Sequence, residues 1–255
     1  MSSPVSFGRC SCDGGPPVGS HSIPVFPIPA APRFPIRRAF RSAALSNPPR
    51  FPIRHDFRSA MLPDFPRSPE LMSRDDTGLL VVDVQEKLIG LIGDHRRVVW
   101  NIRRLIDAAG MLGLPVLATE QYPRGLGPTV AELRERIAEI PEKVKFSCGG
   151  CPQAFADLGS KGVEKLLVVG IECHVCVQQT VFDLLTSGMR VYVAVDAVGS
   201  RHPLDYETAL RRMDSAGATL TTTEAALFEW CESAAAAEFK QISQLVREPQ
   251  PEDAG

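Results

Sequence analysis

From residue 77 onward the chain alternates short apolar runs with amphipathic stretches, and that alternation is what most restricts its fold. TGLLVVDV at 77–84 is a continuous apolar run of strand length, as a strand covered on both faces requires. Residues 94–112 follow with Val98, Ile102, Leu105 and Ala109 at helical spacing, Asp94 placed as the N-cap, and a break at Gly113 and Pro115. The same reading gives further strands at 114–119, 164–170, 189–197 and 218–223, and helices at 128–139, 174–187, 203–216 and 224–245. Successive strand–helix units need right-handed crossovers, which lay the strands mostly parallel in one sheet with helices on both faces. The expected fold is α/β, a three-layer, doubly wound domain whose ligands bind at the carboxyl ends of its strands.

The first 72 residues are of another kind. They hold well over half of the 22 prolines, with many arginines and serines and almost no acidic residue before Asp56. Such a composition cannot bury enough apolar surface to offset the entropy of ordering. PRFPIRRAFRSA at 32–43 returns as PRFPIRHDFRSA at 49–60, offset by 17 residues and differing at two positions. Residues 1–72 therefore read as a disordered Pro/Arg/Ser-rich extension, 73–248 as the folded domain and 249–255 as a flexible tail. A segment rich in arginine and serine and poor in acids also fits a mitochondrial transit peptide. A third reading places the true start at Met61 or Met72. Without a transit peptide, the expected compartment is the cytoplasm.

A formal net charge of -2 offers no broad basic surface for nucleic acid. The apolar runs fall well short of the roughly 20 residues that span a bilayer, so no membrane partner is expected. Seven cysteines, five of them between 148 and 231, do not make a secreted disulfide framework and point to a reducing compartment. A small-molecule substrate is the expected partner.

Three segments carry chemistry. Asp83 ends the first strand inside an apolar run, and a carboxylate there needs a cation or hydrogen-bond donors. In GIECHVC, 170–176, a strand passes through a tight turn into a helix. A thiol at such a junction feels the positive end of the helix dipole, which favours thiolate, and the free N–H groups around it can hold an oxyanion. EKVKFS, 142–147, offers Lys143 and Lys145 to the same edge of the sheet, where an ammonium would keep Asp83 ionised and stabilise a thiolate.

Taken together, VVDVQEKL, TEQYPRGLGPTV, KVKFS, GIECHVCVQQTVFDLL, VAVDAVGSR and FKQISQLVREPQPE resemble the isochorismatase-like cysteine hydrolase superfamily, in its isochorismatase domain-containing type 2 branch, over 77–248. The resemblance implies that Asp83 is the general base, that Lys143 rather than Lys145 completes the triad, and that Cys176 attacks a carbonyl-type carbon to give a thioester. It implies a cis peptide between Ile171 and Glu172, with an oxyanion hole made by the N–H groups of Glu172 and Cys176. Gln85, Glu120, Gln121, Tyr122 and Phe146 are expected to line the pocket. Nicotinamidases of the superfamily bind a metal through Asp-x-His and a further histidine, but TEQYPRGLG has no histidine, so no metal or other cofactor is expected. A homodimer or homotetramer is expected by the same resemblance.

Other readings compete. Cys148-Gly-Gly-Cys151 and Cys173-x-x-Cys176, 21 residues apart, have the spacing of a four-thiolate zinc site. C-x-x-C opening a helix is also a thiol-redox arrangement. A silent binding or scaffold protein could keep the same fold without turnover. His174, on the first turn, is expected to point away from Cys176. Asp196 and Arg201 are expected to brace loops as an ion pair.

Overall fold

The computed structural model describes residues 66–251. The two near-identical basic segments and most of the proline-rich extension lie outside the described residues, as do 252–255 of the tail. In chain order the elements are β1 (Thr77–Val82), α1 (Glu86–Ile89), α2 (His95–Leu112), β2 (Val116–Gln121), the single turns α3 (Pro123–Leu126) and α4 (Ala131–Arg134), and β3 (Glu142–Lys143). A 3-10 turn (Cys148–Gly150) leads to α5 (Pro152–Ser160) and β4 (Lys165–Ile171). A π-helical turn (Cys173–Val177) then runs into α6 (Gln178–Thr186), followed by β5 (Arg190–Gly199), α7 (Pro203–Ser215), β6 (Thr219–Thr221), α8 (Thr223–Cys231) and α9 (Phe239–Val246).

The six strands form one sheet in the order β3-β2-β1-β4-β5-β6, every neighbouring pair parallel. Side chains alternate across a strand, so β1 sends Leu79 and Val81 into one core and Leu80 and Val82 into the other. The first core holds Ile102, Leu105 and Trp230; the second holds Val177, Val181 and Met213. Strand order reverses between β1 and β4, and the crevice at such a reversal is where this architecture builds its sites. Asp83 and the π-helical turn follow the carboxyl ends of these two strands.

Several elements differ from the sequence expectation. β3 was not expected; two residues carry no periodicity, and it exists by pairing Glu142 and Lys143 with Glu120 and Gln121. The helix expected at 128–139 is the single turn α4, because Glu120 reaches back to accept from the Thr129 amide and from Arg134. Asp94 does precede α2, but its carboxylate caps no amide and pairs with Arg97. The helix expected at 224–245 is broken into α8 and α9, with Glu232 at φ 64°.

That break has a tertiary cause. Arg67 donates to Glu232 and to the Glu229 carbonyl, the Met72 amide donates to Glu229, Ser73 donates to Glu232, and Arg74 pairs with Glu238. Residues 67–72, expected within the extension, thus strap the last two helices to the domain, and Met72 is fully buried. Among the described residues no helix is long and apolar enough to cross a membrane.

Candidate active site

Asp83 leaves β1 with φ 51°, a left-handed conformation that aspartate tolerates better than most residues. Its amide donates to the Thr119 carbonyl at 3.1 Å, and its carbonyl accepts from the Gln85 amide at 2.8 Å. The carboxylate is fully buried: Oδ1 accepts from Thr119 Oγ1 at 2.8 Å and Oδ2 from Lys143 Nζ at 2.6 Å. Pairing of β3 with β2 aims Lys143 inward, while Lys145 is exposed. The ammonium has three N–H groups, and around it stand Asp83 Oδ2, Gln121 Oε1 at 3.0 Å, the Phe146 carbonyl at 2.8 Å and the Lys145 carbonyl at 3.2 Å.

Gly170 brings the third residue in. It has φ 118°, and a Cβ there would stand 2.1 Å from the Val82 carbonyl oxygen, so only glycine lets β4 end this close to β1. The peptide between Ile171 and Glu172 is cis. The π-helical turn then sets Cys176 at the edge of the second core, 6% exposed, where its thiol feels the Asp83 charge.

Electrostatics of the three groups follow from burial. Desolvation raises the Asp83 carboxyl above its ordinary value, against the opposing pull of Lys143 and of the hydrogen bond from Thr119. Desolvation also pushes the Cys176 thiol far up, and the neighbouring carboxylate adds to it more than Lys143 takes away. Burial therefore opposes the thiolate expected at this junction. The Lys143 ammonium pairs with Asp83, and burial together with that carboxylate favours the neutral form of the Cys176 thiol.

The expected pocket residues divide. Gln85 is fully buried and spends its amide on the backbone, donating to the Gln121 and Gly127 carbonyls and accepting from the Gln121 amide. Glu120 is equally committed to Thr129 and Arg134. Both brace the β2 loop. Gln121 holds Lys143 through Oε1 and the Val144 carbonyl through Nε2. Tyr122 and Phe146, 53% and 54% exposed, are the two of the set that face outward. Thr119 and Cys148 were missed. Cys148 is buried against Thr119 at 3.3 Å, its thiol pushed up to about 11 by burial and the Asp83 charge, and its amide donates to Thr180, whose hydroxyl donates to the Cys176 carbonyl. The signal was a hydroxyl closing an otherwise apolar strand at Thr119.

Glu172 accepts from Arg201 Nε at 2.8 Å, and Asp196 accepts from the Thr223 amide and hydroxyl, so the expected Asp196–Arg201 pair is replaced by two separate braces. His174 turns to Ser200 at 3.0 Å. The four-thiolate alternative is not built. Cys151 lies against the Glu142 carbonyl and Cys148 against Thr119, and no group of three or more His, Cys, Asp or Glu side chains among the described residues is placed to hold a metal.

Residues 77–225 match the isochorismatase domain model. The chain belongs to the isochorismatase domain family. It is 39% identical over 175 residues to isochorismatase domain-containing protein 2 of Macaca fascicularis, an alignment covering 68% of this chain and 84% of that one. Among solved structures of this fold it is similar to the MAR1 ribonuclease of Caenorhabditis elegans, with 40% identity, TM-score 0.67, and 72% of this chain and 96% of that one covered. It is also similar to YcaC of Pseudomonas aeruginosa, solved with hexane-2,5-diol and covalent acrylamide, at 25% identity, TM-score 0.65, and 71% and 93% covered. Membership places the chain in a family of hydrolase type.

Proposed function

We propose that this chain is a cysteine hydrolase that cleaves a small amide or related C–N bond through a thioester, with Asp83, Lys143 and Cys176 as its catalytic residues. The observation that carries the reading is the fully buried Asp83–Lys143 pair at the same sheet crevice as the elbow that holds Cys176, whose thiol feels the charge of that carboxylate. Asp83 accepts the Sγ proton as sulfur attacks the carbonyl carbon. The oxyanion is held by the N–H groups of Glu172 and Cys176. Collapse breaks the C–N bond, and protonated Asp83 returns its proton to the leaving nitrogen. Asp83 then takes a proton from water, which attacks the thioester, and the acid leaves as the thiol is restored. Lys143 orients the carboxylate and favours its charged form at the start of each proton transfer. A raised carboxyl suits the role, since a base must both accept and return a proton near neutral pH.

The P. aeruginosa relative was solved with covalent acrylamide, itself a small primary amide, which makes that class the first to test. The test is to incubate the chain with a panel of small primary amides and to weigh the intact protein. Ammonia release with an acyl adduct on Cys176, both absent from Cys176→Ala and Asp83→Asn, is expected; turnover that survives in Cys176→Ala overturns it. A second reading, RNA cleavage, follows from the name of the C. elegans relative. The net charge of -2 and the burial of Asp83 and Lys143 weigh against a polyanionic polymer. Degradation of labelled RNA that depends on Cys176 would favour it.

A further inference from the structure

A cavity of about 290 Å³ opens at the carboxyl end of β5, between the first turn of α2 and the connection from β5 to α7. Arg97 and Arg201 line it from those two sides, with Ser200 and Tyr206 between them. The Gly199 wall is closed to any side chain, since a Cβ there would stand 2.7 Å from Ile92 Cγ2. Each arginine is fixed by one carboxylate and keeps donors in hand. Arg97 gives one terminal nitrogen to Asp94, and its Nε is buried without a hydrogen-bond partner. Arg201 gives Nε to Glu172, and its two terminal nitrogens make no hydrogen bond among the described residues. Asp94 is the one acid among the lining residues. The amino ends of α2 and α7, 18 and 13 residues long, adjoin the same space and favour negative charge there.

We propose that this cavity binds a small anion, a carboxylate or phosphate, between the guanidinium groups of Arg97 and Arg201. Two planar forks held in place by carboxylates can each present donor pairs to such a group. The wall also joins the elbow: Arg201 holds Glu172, and Ser200 bonds His174 Nδ1. The anion is either the acidic end of the substrate or a separate ligand acting through that wall.

Calorimetric titration of the full chain with succinate, with inorganic phosphate and with neutral succinamide tests the site. Succinate or phosphate is expected to bind once per chain and at least about tenfold tighter than succinamide. Arg97→Gln and Arg201→Gln are each expected to weaken binding by about tenfold or more, the effect of one charge-assisted hydrogen bond. Arg201→Gln also releases Glu172, so Arg97→Gln, which breaks only a surface pair with Asp94, is the deciding variant once its melting temperature matches the native chain. Anions that bind no better than succinamide, or equally well to the native chain and to Arg97→Gln, overturn the proposal. The two sources separate on Cys176 alkylation by iodoacetamide. Protection by succinate marks the cavity as one end of the substrate site, and unchanged alkylation with binding retained marks a separate anion site. Binding heat does not depend on turnover, so failure of the hydrolase reading leaves this test intact.

Discussion

Replacing Lys143 with methionine isolates what the buried ion pair contributes. The side chains of Lys143 and Asp83 are both fully enclosed, so the substitution leaves a carboxylate without its cation. Removing one partner of a buried pair costs roughly 3–5 kcal/mol. In a domain of this size 1 kcal/mol moves the melting temperature by about 2–4 °C, so a fall on the order of 10 °C at neutral pH is expected. The pH dependence fixes the cause. Asp83 already has a folded-state pKa above its unfolded value, and losing Lys143 raises it further. A carboxyl raised on folding favours the folded state at low pH, and that advantage is lost as pH climbs from the unfolded pKa through the folded one. The deficit of Lys143→Met should therefore be largest at neutral pH and shrink as the solution is acidified toward the ordinary carboxylate range. Asp83→Asn/Lys143→Met, with neither charge, should recover part of the loss. Urea unfolding followed by fluorescence of the buried Trp230 reads each step. A deficit below about 1 kcal/mol, or one that does not change with pH, would refute the reasoning.

Further outcomes follow from the same geometry. Because burial and the Asp83 charge hold the Cys176 thiol up, iodoacetamide should label it slowly at neutral pH, and Asp83→Asn should speed labelling while abolishing turnover; equal rates in mass-mapped digests would contradict this. Thr119→Val deletes a hydrogen bond that lowers the Asp83 pKa. The ascending limb of the pH–rate profile should move to higher pH, with a stability loss of about 1–3 kcal/mol for the unmet carboxylate oxygen. Gly170→Ala forces a Cβ against the Val82 carbonyl, and a loss of at least about 2 kcal/mol in urea midpoint measurements, or no folded protein, is expected.

Elements that follow from apolar continuity were legible. β1, β4 and the elbow at 170–176 are runs whose length and breakers leave one reading. Lys143 over Lys145 was legible from the spacing of KVKFS within the family pattern, and the structure buries the one and exposes the other. The ionisation of Cys176 was not. The helix start is written in the sequence, but the burial that pushes the thiol up, and the Asp83 carboxylate 93 positions away that adds to it, are set only by the fold. The bracing contacts of Gln85 and Glu120 were hidden for a related reason. A polar side chain near a strand end looks the same in sequence whether it faces a ligand or completes the backbone bonds of a neighbouring loop, as both do here.

The strap at 67–74 has a consequence for anyone trimming the molecule. Shortening to Met72 would discard Arg67, which ties Glu232, the Met72 carbonyl and the Glu229 carbonyl together. It would also discard the carbonyls of Pro69, Glu70 and Leu71 that accept from Arg190, Tyr192 and Lys165. The last two helices would lose part of their tether and the amino ends of β4 and β5 their cover, so a product that looks minimal by composition would be a damaged one. The proline-rich sequence ends, for the purposes of folding, a few residues earlier than its proline content indicates.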